Sequence, residues 1–310
     1  MVRTATYYCF LTNGSPDLLK VKLARGFRIE PFGIEEIIDL SLRAEDRSAF
    51  NPINRIISNT QYVGVGLDSD GELDTWYAIV REVSSSDVDR VEDRLEKDSW
   101  APLLEQEDEL YIQKIILLLN LFRECSVFSS DRFIITNGGF GTIIWHQYTR
   151  QPLPIAFDGF FLQDRELENL QSLLDADYPF KEPYIQLAFD NFIESHYIEN
   201  PKISMLMLMM ALEALFSRGN SETSHTIARC CAVLLGDSKE DSREIYDEVK
   251  HYYNIRSVLI HGHVSKKAEV SLNDICELRY IVRDSIKRIR TKKLKKDELM
   301  RWLDEMGYPG

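Results

Sequence analysis

One arginine and one histidine at the end of a long helical stretch are the best candidates for chemistry in this chain. Arg256 and His261 are separated by four residues, and Gly262, a residue that often terminates helices, follows the histidine. A guanidinium group is permanently charged and stabilises anionic oxygens, whereas imidazole gains and loses a proton near neutral pH. The two side chains together therefore suit acid–base catalysis at a phosphate group.

The helix that carries this pair has an apolar stripe, on which Arg256 falls. A guanidinium group on an apolar face needs an anion, a carboxylate or a wet interface, since a buried charge without compensation is costly. Both a structural salt bridge and a catalytic role satisfy this need. The stripe consists of residues spaced by three and four positions: Ile245, Val249, Tyr252, Tyr253 and Ile260.

Arg256 and His261 do not point in the same direction on an ideal helix, because a step of five residues rotates by about 140°. They converge only if the last turn loosens or if a second subunit contributes one of them. A twofold axis at the helix end would bring two Arg and two His side chains into one groove. The carbonyl end of a helix favours the charged imidazole and a nearby Arg opposes it, as suits a group that exchanges protons.

The segment from Tyr253 to Gly262 resembles the Arg-x4–6-His motif of HEPN domains, and most of all the ApeA-like branch of that family. Two upstream segments, Ala211 to Phe216 and Ile227 to Leu235, are similar to the helices that precede the motif. The resemblance covers roughly residues 180–290. The spacing alone is not selective, since Arg218 and His225 also satisfy it. The long amphipathic helix and the His-Gly ending distinguish Arg256.

The resemblance implies a metal-independent endoribonuclease that acts as a homodimer, often as a toxin or an antiviral defence effector. In that mechanism the RNA 2′-hydroxyl attacks the adjacent phosphate and leaves a 2′,3′-cyclic end, so DNA is not cut. His261 would transfer protons and Arg256 would stabilise the charged transition state. Three residues would have supporting roles: Ser257 would bind phosphate, Tyr253 would pack beside the site or stack on a base, and Glu213 would orient Arg256. Core or capping roles are the alternative for these three, and Ser257 stands where many members have Asn, Asp or His.

The main alternative is a non-catalytic HEPN-like module that binds RNA, a nucleotide or a partner protein. In that case Arg256 and His261 would have only structural roles. The residues before about 177 resemble the variable region that such proteins place ahead of the HEPN domain. They are expected to sense or regulate, through an activator or a phage-derived trigger. They contain no paired carboxylates, nucleophile elbow or phosphate loop that would indicate a second enzyme.

Positive charge is concentrated near the end of an otherwise acidic chain. The formal net charge is −13, yet residues 279–310 contain ten Lys or Arg against five Asp or Glu. A solvated helix face and an RNA-backbone track are both compatible with a basic stripe at steps of three or four. The members of this stripe are Arg279, Arg283, Lys287 and Arg290.

No cofactor or metal is predicted. His261 and His263 lack an acidic or cysteine partner at ligand spacing, and the five cysteines form no C-x-x-C pair. The glycines of Asn137–Gly141 are better explained by a hairpin turn than by a phosphate loop, since no Gly-Lys-Ser/Thr follows. No apolar run has the length of a membrane span, and a cytoplasmic location is expected.

The fold prediction is an α+β domain over residues 1–176, followed by an all-α HEPN-like helical bundle over residues 177–310. In the first part, strands are predicted at Thr4 to Leu11 and Leu19 to Phe32, with a hairpin around Asp68–Gly71. Leu110 to Val127 should form a buried helix. The second part is predicted to contain helices at about 183–198, 202–217, 223–236, 241–260, 271–291 and 296–306.

Overall fold

The computed structural model describes residues 4–43, 56, 75–97, 102–125, 127–129, 131–137, 144–148, 159–163, 165–218, 223–261 and 269–307. The chain divides into two compact units, Met1–Ala176 and Asp177–Gly310. The first unit is α+β and the second is helical throughout its described residues.

The first unit is built on a five-stranded antiparallel sheet with strand order β2-β3-β1-β4-β5. β1 lies in the centre, where it pairs with β3 and β4. Because the side chains of a strand alternate between two faces, β1 contributes buried residues to a layer of core on each side of the sheet. The strands are β1 (Thr4–Leu11), β2 (Arg28–Phe32), β3 (Trp76–Val83), β4 (Asp131–Asn137) and β5 (Ile144–Tyr148).

Helices cover both faces of this sheet. Phe10, Trp76 and Phe133 pack on one face against α1 (Ile34–Arg43). Strand side chains on the other face contact α3 (Gln106–Phe122). Arg132 lies 2.7 Å from Glu109, and Arg81 lies 2.6 Å from Asp108. Two further helices lie in the described part of this unit, α2 (Ser85–Lys97) and α4 (Glu166–Leu174).

The strand predicted at Leu19 to Phe32 is too long. Only Arg28–Phe32 is a strand, whereas Pro16–Lys20 forms a short 3-10 helix. Ser15 caps that helix by accepting a hydrogen bond from Asp17 N, a local interaction that competes with strand pairing. β4 and β5 pair as the predicted hairpin requires, and residues 68–71 and 138–141 lie outside the described part of the chain.

The helical unit contains all six helices that the sequence predicts. Their bounds agree with the prediction to within four residues, and the largest difference arises where the first helix gives way to a short 3-10 turn at Ser195–Tyr197. The helices are α5 (Pro183–Glu194), α6 (Pro201–Phe216), α7 (Thr223–Leu235), α8 (Lys239–Ile260), α9 (Leu272–Lys292) and α10 (Lys296–Glu305).

α9 has neighbours on several sides, because it packs against α5, α6 and α7. Its buried residues extend around most of the helix, as expected of a helix with neighbours on several sides. They include Ile275, Leu278, Val282, Ile286 and Ile289. Throughout the described residues, none of the helices combines the length and apolar character needed to cross a membrane.

Two local features place α8 against its neighbours. A Cβ atom on Gly236 would lie 2.1 Å from Ser242 Oγ and 2.9 Å from Ser242 Cα, so α7 and α8 approach this closely only with glycine between them. Ser238 then caps α8 by accepting a hydrogen bond from Asp241 N at 3.1 Å. The long helix that ends at His261 is therefore anchored firmly at its start.

Candidate active site

Arg256 is held by a carboxylate from a neighbouring helix. Its Nη2 lies 2.8 Å from Glu213 Oε1, and α6, which carries Glu213, packs against α8. Both side chains are 25% exposed, so the ion pair lies at the rim of the helical core. The guanidinium group also lies 5.3 Å from the centre of the Tyr253 ring, within the range of a cation–π interaction. Glu213 and Tyr253 thus restrict where the charge of Arg256 can be placed.

His261 ends α8 as its C-terminal cap. Its backbone N–H donates to Ser257 O at 3.2 Å, which is the hydrogen bond of a regular last turn. The turn has therefore not loosened before His261, and the angle of about 140° between Arg256 and His261 is retained. The imidazole is exposed to solvent, and Arg256 is half-buried. A single chain presents the two groups on different sides of one helix end.

The buried stripe predicted on α8 is correct in its middle and wrong at its end. Val249 and Tyr252 are buried, and the Tyr252 hydroxyl donates to Glu277 Oε2 at 2.7 Å. Ile260, however, is 51% exposed although it lies beside the candidate histidine. It comes after the part of α8 that its neighbouring helices cover, so spacing alone could not determine its burial.

Ser257 lies between the two candidate groups along the chain and is half-buried. Its carbonyl oxygen accepts the hydrogen bond that closes the last turn. Tyr253 and Ser257 are about one helical turn apart. Both therefore lie on the face of α8 between Arg256 and His261. Phosphate binding by the Ser257 hydroxyl stays a prediction.

The predicted RNA-backbone track is not available for binding at two of its four positions. Arg279 is 2% exposed and Arg283 is 8% exposed, because both lie where α9 is covered by its neighbours. Arg279 Nη2 donates to Ser195 O at 2.6 Å and its Nε donates to Ser195 Oγ at 3.2 Å. Its charge therefore caps the carbonyl end of α5, a structural role that the basic spacing did not reveal.

The other two members of the stripe are half-buried. Lys287 Nζ lies 3.6 Å from Asp284 Oδ1, and the same carboxylate accepts a hydrogen bond from Arg283 Nε at 3.2 Å. Burial lowers the pKa of Arg290 from its ordinary value. The stripe on α9 is thus largely a structural feature of the bundle, and the RNA-backbone prediction is wrong for Arg279 and Arg283.

A buried histidine lies next to these arginines and gives a pH-dependent stability. His196 is 2% exposed, and burial together with the charges of Arg279 and Arg283 lowers its pKa well below the ordinary value. The folded chain keeps His196 neutral where the unfolded chain protonates it. The contribution of neutral His196 to the free energy of unfolding is therefore complete above the unfolded-state pKa of about 6.5 and decreases as the pH falls below it.

We expect His196→Phe to weaken this dependence. Between pH 7 and about pH 5, the free energy of unfolding of the wild type should fall by up to about 1.4 kcal/mol per pH unit from this group, and the variant should lose that contribution. Far-UV circular dichroism melts at each pH measure the difference. An identical pH slope in both proteins would contradict the assignment.

The second match to the motif spacing, Arg218 and His225, has its two groups engaged elsewhere. Arg218 Nη2 donates to Met300 O at 3.0 Å and forms an ion pair with Asp304. His225 Nδ1 shares a hydrogen bond of 2.8 Å with the Tyr246 hydroxyl. The two residues therefore contact different helices, α10 and α8, and form no common site.

A row of side chains on α8 was not recognised from the sequence. Tyr246, Lys250, Tyr253 and Ser257 follow one another at steps of four, three and four residues. These steps place them on one face of α8, and His225 joins the row from α7. The spacing was visible in the sequence, but the contribution of α7 was not.

Across the described residues, no group of three or more His, Cys, Asp or Glu side chains could hold a metal ion. Gly262 and His263 lie outside those residues. No family model, curated protein or solved structure matches the chain.

Proposed function

We propose that the helical unit is a metal-independent endoribonuclease of the HEPN type, with Arg256 and His261 as its catalytic residues. The observation that carries the proposal is the position of Arg256. Its Nη2 lies 2.8 Å from Glu213 Oε1, and the residue is less than one and a half turns from the helix end at His261. A fixed cation and an exposed imidazole, once they are brought together, supply what cleavage of a phosphodiester needs. The substrate is RNA.

His261 and Arg256 have different roles in the cleavage reaction. An imidazole at position 261 accepts the proton of the RNA 2′-hydroxyl or donates one to the leaving 5′-oxygen, and the other proton transfer falls to a second group. The 2′-oxygen forms a bond to phosphorus while the bond to the 5′-oxygen breaks, which leaves a 2′,3′-cyclic phosphate and a 5′-hydroxyl. The guanidinium group of Arg256 stabilises the additional negative charge on the phosphoryl oxygens.

A homodimer would supply the second catalytic group from its other chain. Arg256 and His261 of one chain point in directions about 140° apart, so the catalytic pair of one groove would combine side chains from two copies. The exposed Ile260 provides an apolar contact next to His261 for such a twofold interface. An activator that acts through the first unit remains part of the proposal.

The same ion pair favours a second candidate function, a binding module without catalysis. Glu213 satisfies the charge of Arg256, as a purely structural salt bridge would. In that case the unit would bind RNA, a nucleotide or a partner protein without cutting it.

Incubation of the purified full chain with end-labelled single-stranded RNA and tRNA in EDTA distinguishes the two. We expect cleavage that yields 2′,3′-cyclic phosphate and 5′-hydroxyl ends, with a DNA oligonucleotide of the same sequence left intact. Cleavage of the DNA, or products with 3′-hydroxyl ends, would contradict the mechanism. Intact RNA at every protein concentration and with cell extract added would favour the binding module.

A further inference from the structure

The row on α8 combines aromatic and cationic side chains in contact with one another. Lys250 Nζ lies 5.8 Å from the centre of the Tyr246 ring, and Arg256 lies 5.3 Å from that of Tyr253. The ring of His225 meets that of Tyr246 edge-on, at 5.7 Å between centres and 73° between planes. Rings are thus interleaved with positive charges along one side of the helix.

This surface is partly exposed and carries the positive charges of Lys250 and Arg256, the second of which is paired with Glu213. Tyr246, Lys250 and Tyr253 are half-buried, and His225 is exposed. The acidic residues Glu244 and Glu248 are each two positions from Tyr246, so they project about 200° away and lie on the opposite side of α8. The nearest carboxylate on the flank, Asp247, lies 3.9 Å from Arg243.

The row is continuous with the candidate active site. It starts at Tyr246 and ends at Ser257, and His261 follows about one turn later, so that Tyr246 and His261 are about 22 Å apart along the helix. A single strand of RNA that enters this row therefore reaches the catalytic histidine after a few nucleotides. Unstacked bases bind to aromatic rings, and phosphates bind to Lys and Arg between those rings.

We propose that four side chains of the row, His225, Tyr246, Lys250 and Tyr253, bind single-stranded RNA and that the row leads it to Arg256 and His261. This inference rests on the proposed function and restricts the substrate to unpaired RNA. A base stacks on Tyr246 beside His225, and Lys250 contacts the phosphate between this base and the next, which lies beside Tyr253. Duplex RNA, whose bases are already stacked, does not use the row.

Binding, measured without cleavage, tests the row separately from catalysis. The probe is a fluorescently labelled single-stranded oligouridylate, titrated with full-length His261→Ala and followed by fluorescence anisotropy. Adding Tyr246→Ala to this parent should raise Kd by about tenfold, whereas Tyr246→Phe, which keeps the ring, should bind within about twofold of the parent. Tyr280→Ala is the matched control, since Tyr280 is an exposed tyrosine on α9.

Lys250→Ala should weaken binding and reduce the slope of log Kd against log salt by about one, because one phosphate contact is lost. An excess of unlabelled duplex RNA should compete poorly. The proposal is overturned if the parent does not bind the oligonucleotide, if Tyr246→Ala binds as tightly as Tyr280→Ala, or if duplex competes as well as single strand. Loss of binding in Tyr246→Ala without cleavage by the wild type would retain the row and reject the nuclease.

Discussion

Replacement of His261 by alanine is expected to slow RNA cleavage by about 10²- to 10⁴-fold, the contribution of a general acid or base. The side chain is exposed and its backbone N–H closes the last turn of α8, a bond that alanine also makes. The fold should therefore change little, with a loss in the free energy of unfolding of about 0.5 kcal/mol or less. The measurement is the single-turnover rate on labelled RNA at matched circular dichroism.

His251 provides the control for this experiment, because it is a second exposed histidine on α8, ten residues earlier. His251→Ala should cleave at the wild-type rate. Added imidazole should restore part of the activity of His261→Ala and leave that of His251→Ala unchanged. A catalytic role for His261 is excluded if His261→Ala cleaves as fast as the wild type, or if both variants lose activity equally.

Removal of the Arg256 guanidinium is expected to reduce the cleavage rate by about 10²- to 10³-fold, the effect of losing one group that stabilises the charged transition state. Arg256→Lys keeps a charge but lacks the planar fork, so its rate should lie between those of Arg256→Ala and the wild type. Glu213→Gln keeps an acceptor for Arg256 but removes the negative charge of the ion pair, and it should reduce the cleavage rate by about tenfold. Rates are measured under single-turnover conditions.

Stability separates the catalytic role of Arg256 from a structural one. The ion pair with Glu213 is partly exposed, so its loss should cost only about 1 kcal/mol of unfolding free energy. Arg243→Ala is the control, since Arg243 pairs with Asp247 on the exposed side of the same helix. If Arg256→Ala lowers stability and leaves the cleavage rate unchanged, the arginine is structural.

The helical unit was predictable because its signals are local. Apolar residues at steps of three and four, together with Ser238 and Ser271 as N-terminal caps, mark where α8 and α9 begin. Six helices follow from this pattern without knowledge of any contact. The strand at Leu19 to Phe32 was mispredicted because its first two residues belong to the 3-10 helix that Ser15 caps, and because Arg25 and Gly26 have φ angles of 58° and 76°, which interrupt an extended strand.

The sequence by itself determined the order of the helices, the separation of Arg256 from His261 and the presence of a carboxylate at Glu213. Only the tertiary structure decided which charges are buried, because burial depends on how many helices surround a given face. α9 has neighbours on several sides, and therefore Arg279 and Arg283 are structural although their spacing is that of a basic track. α8 is covered less at its end, and therefore Ile260 and the adjacent His261 are exposed although the apolar stripe continues to Ile260.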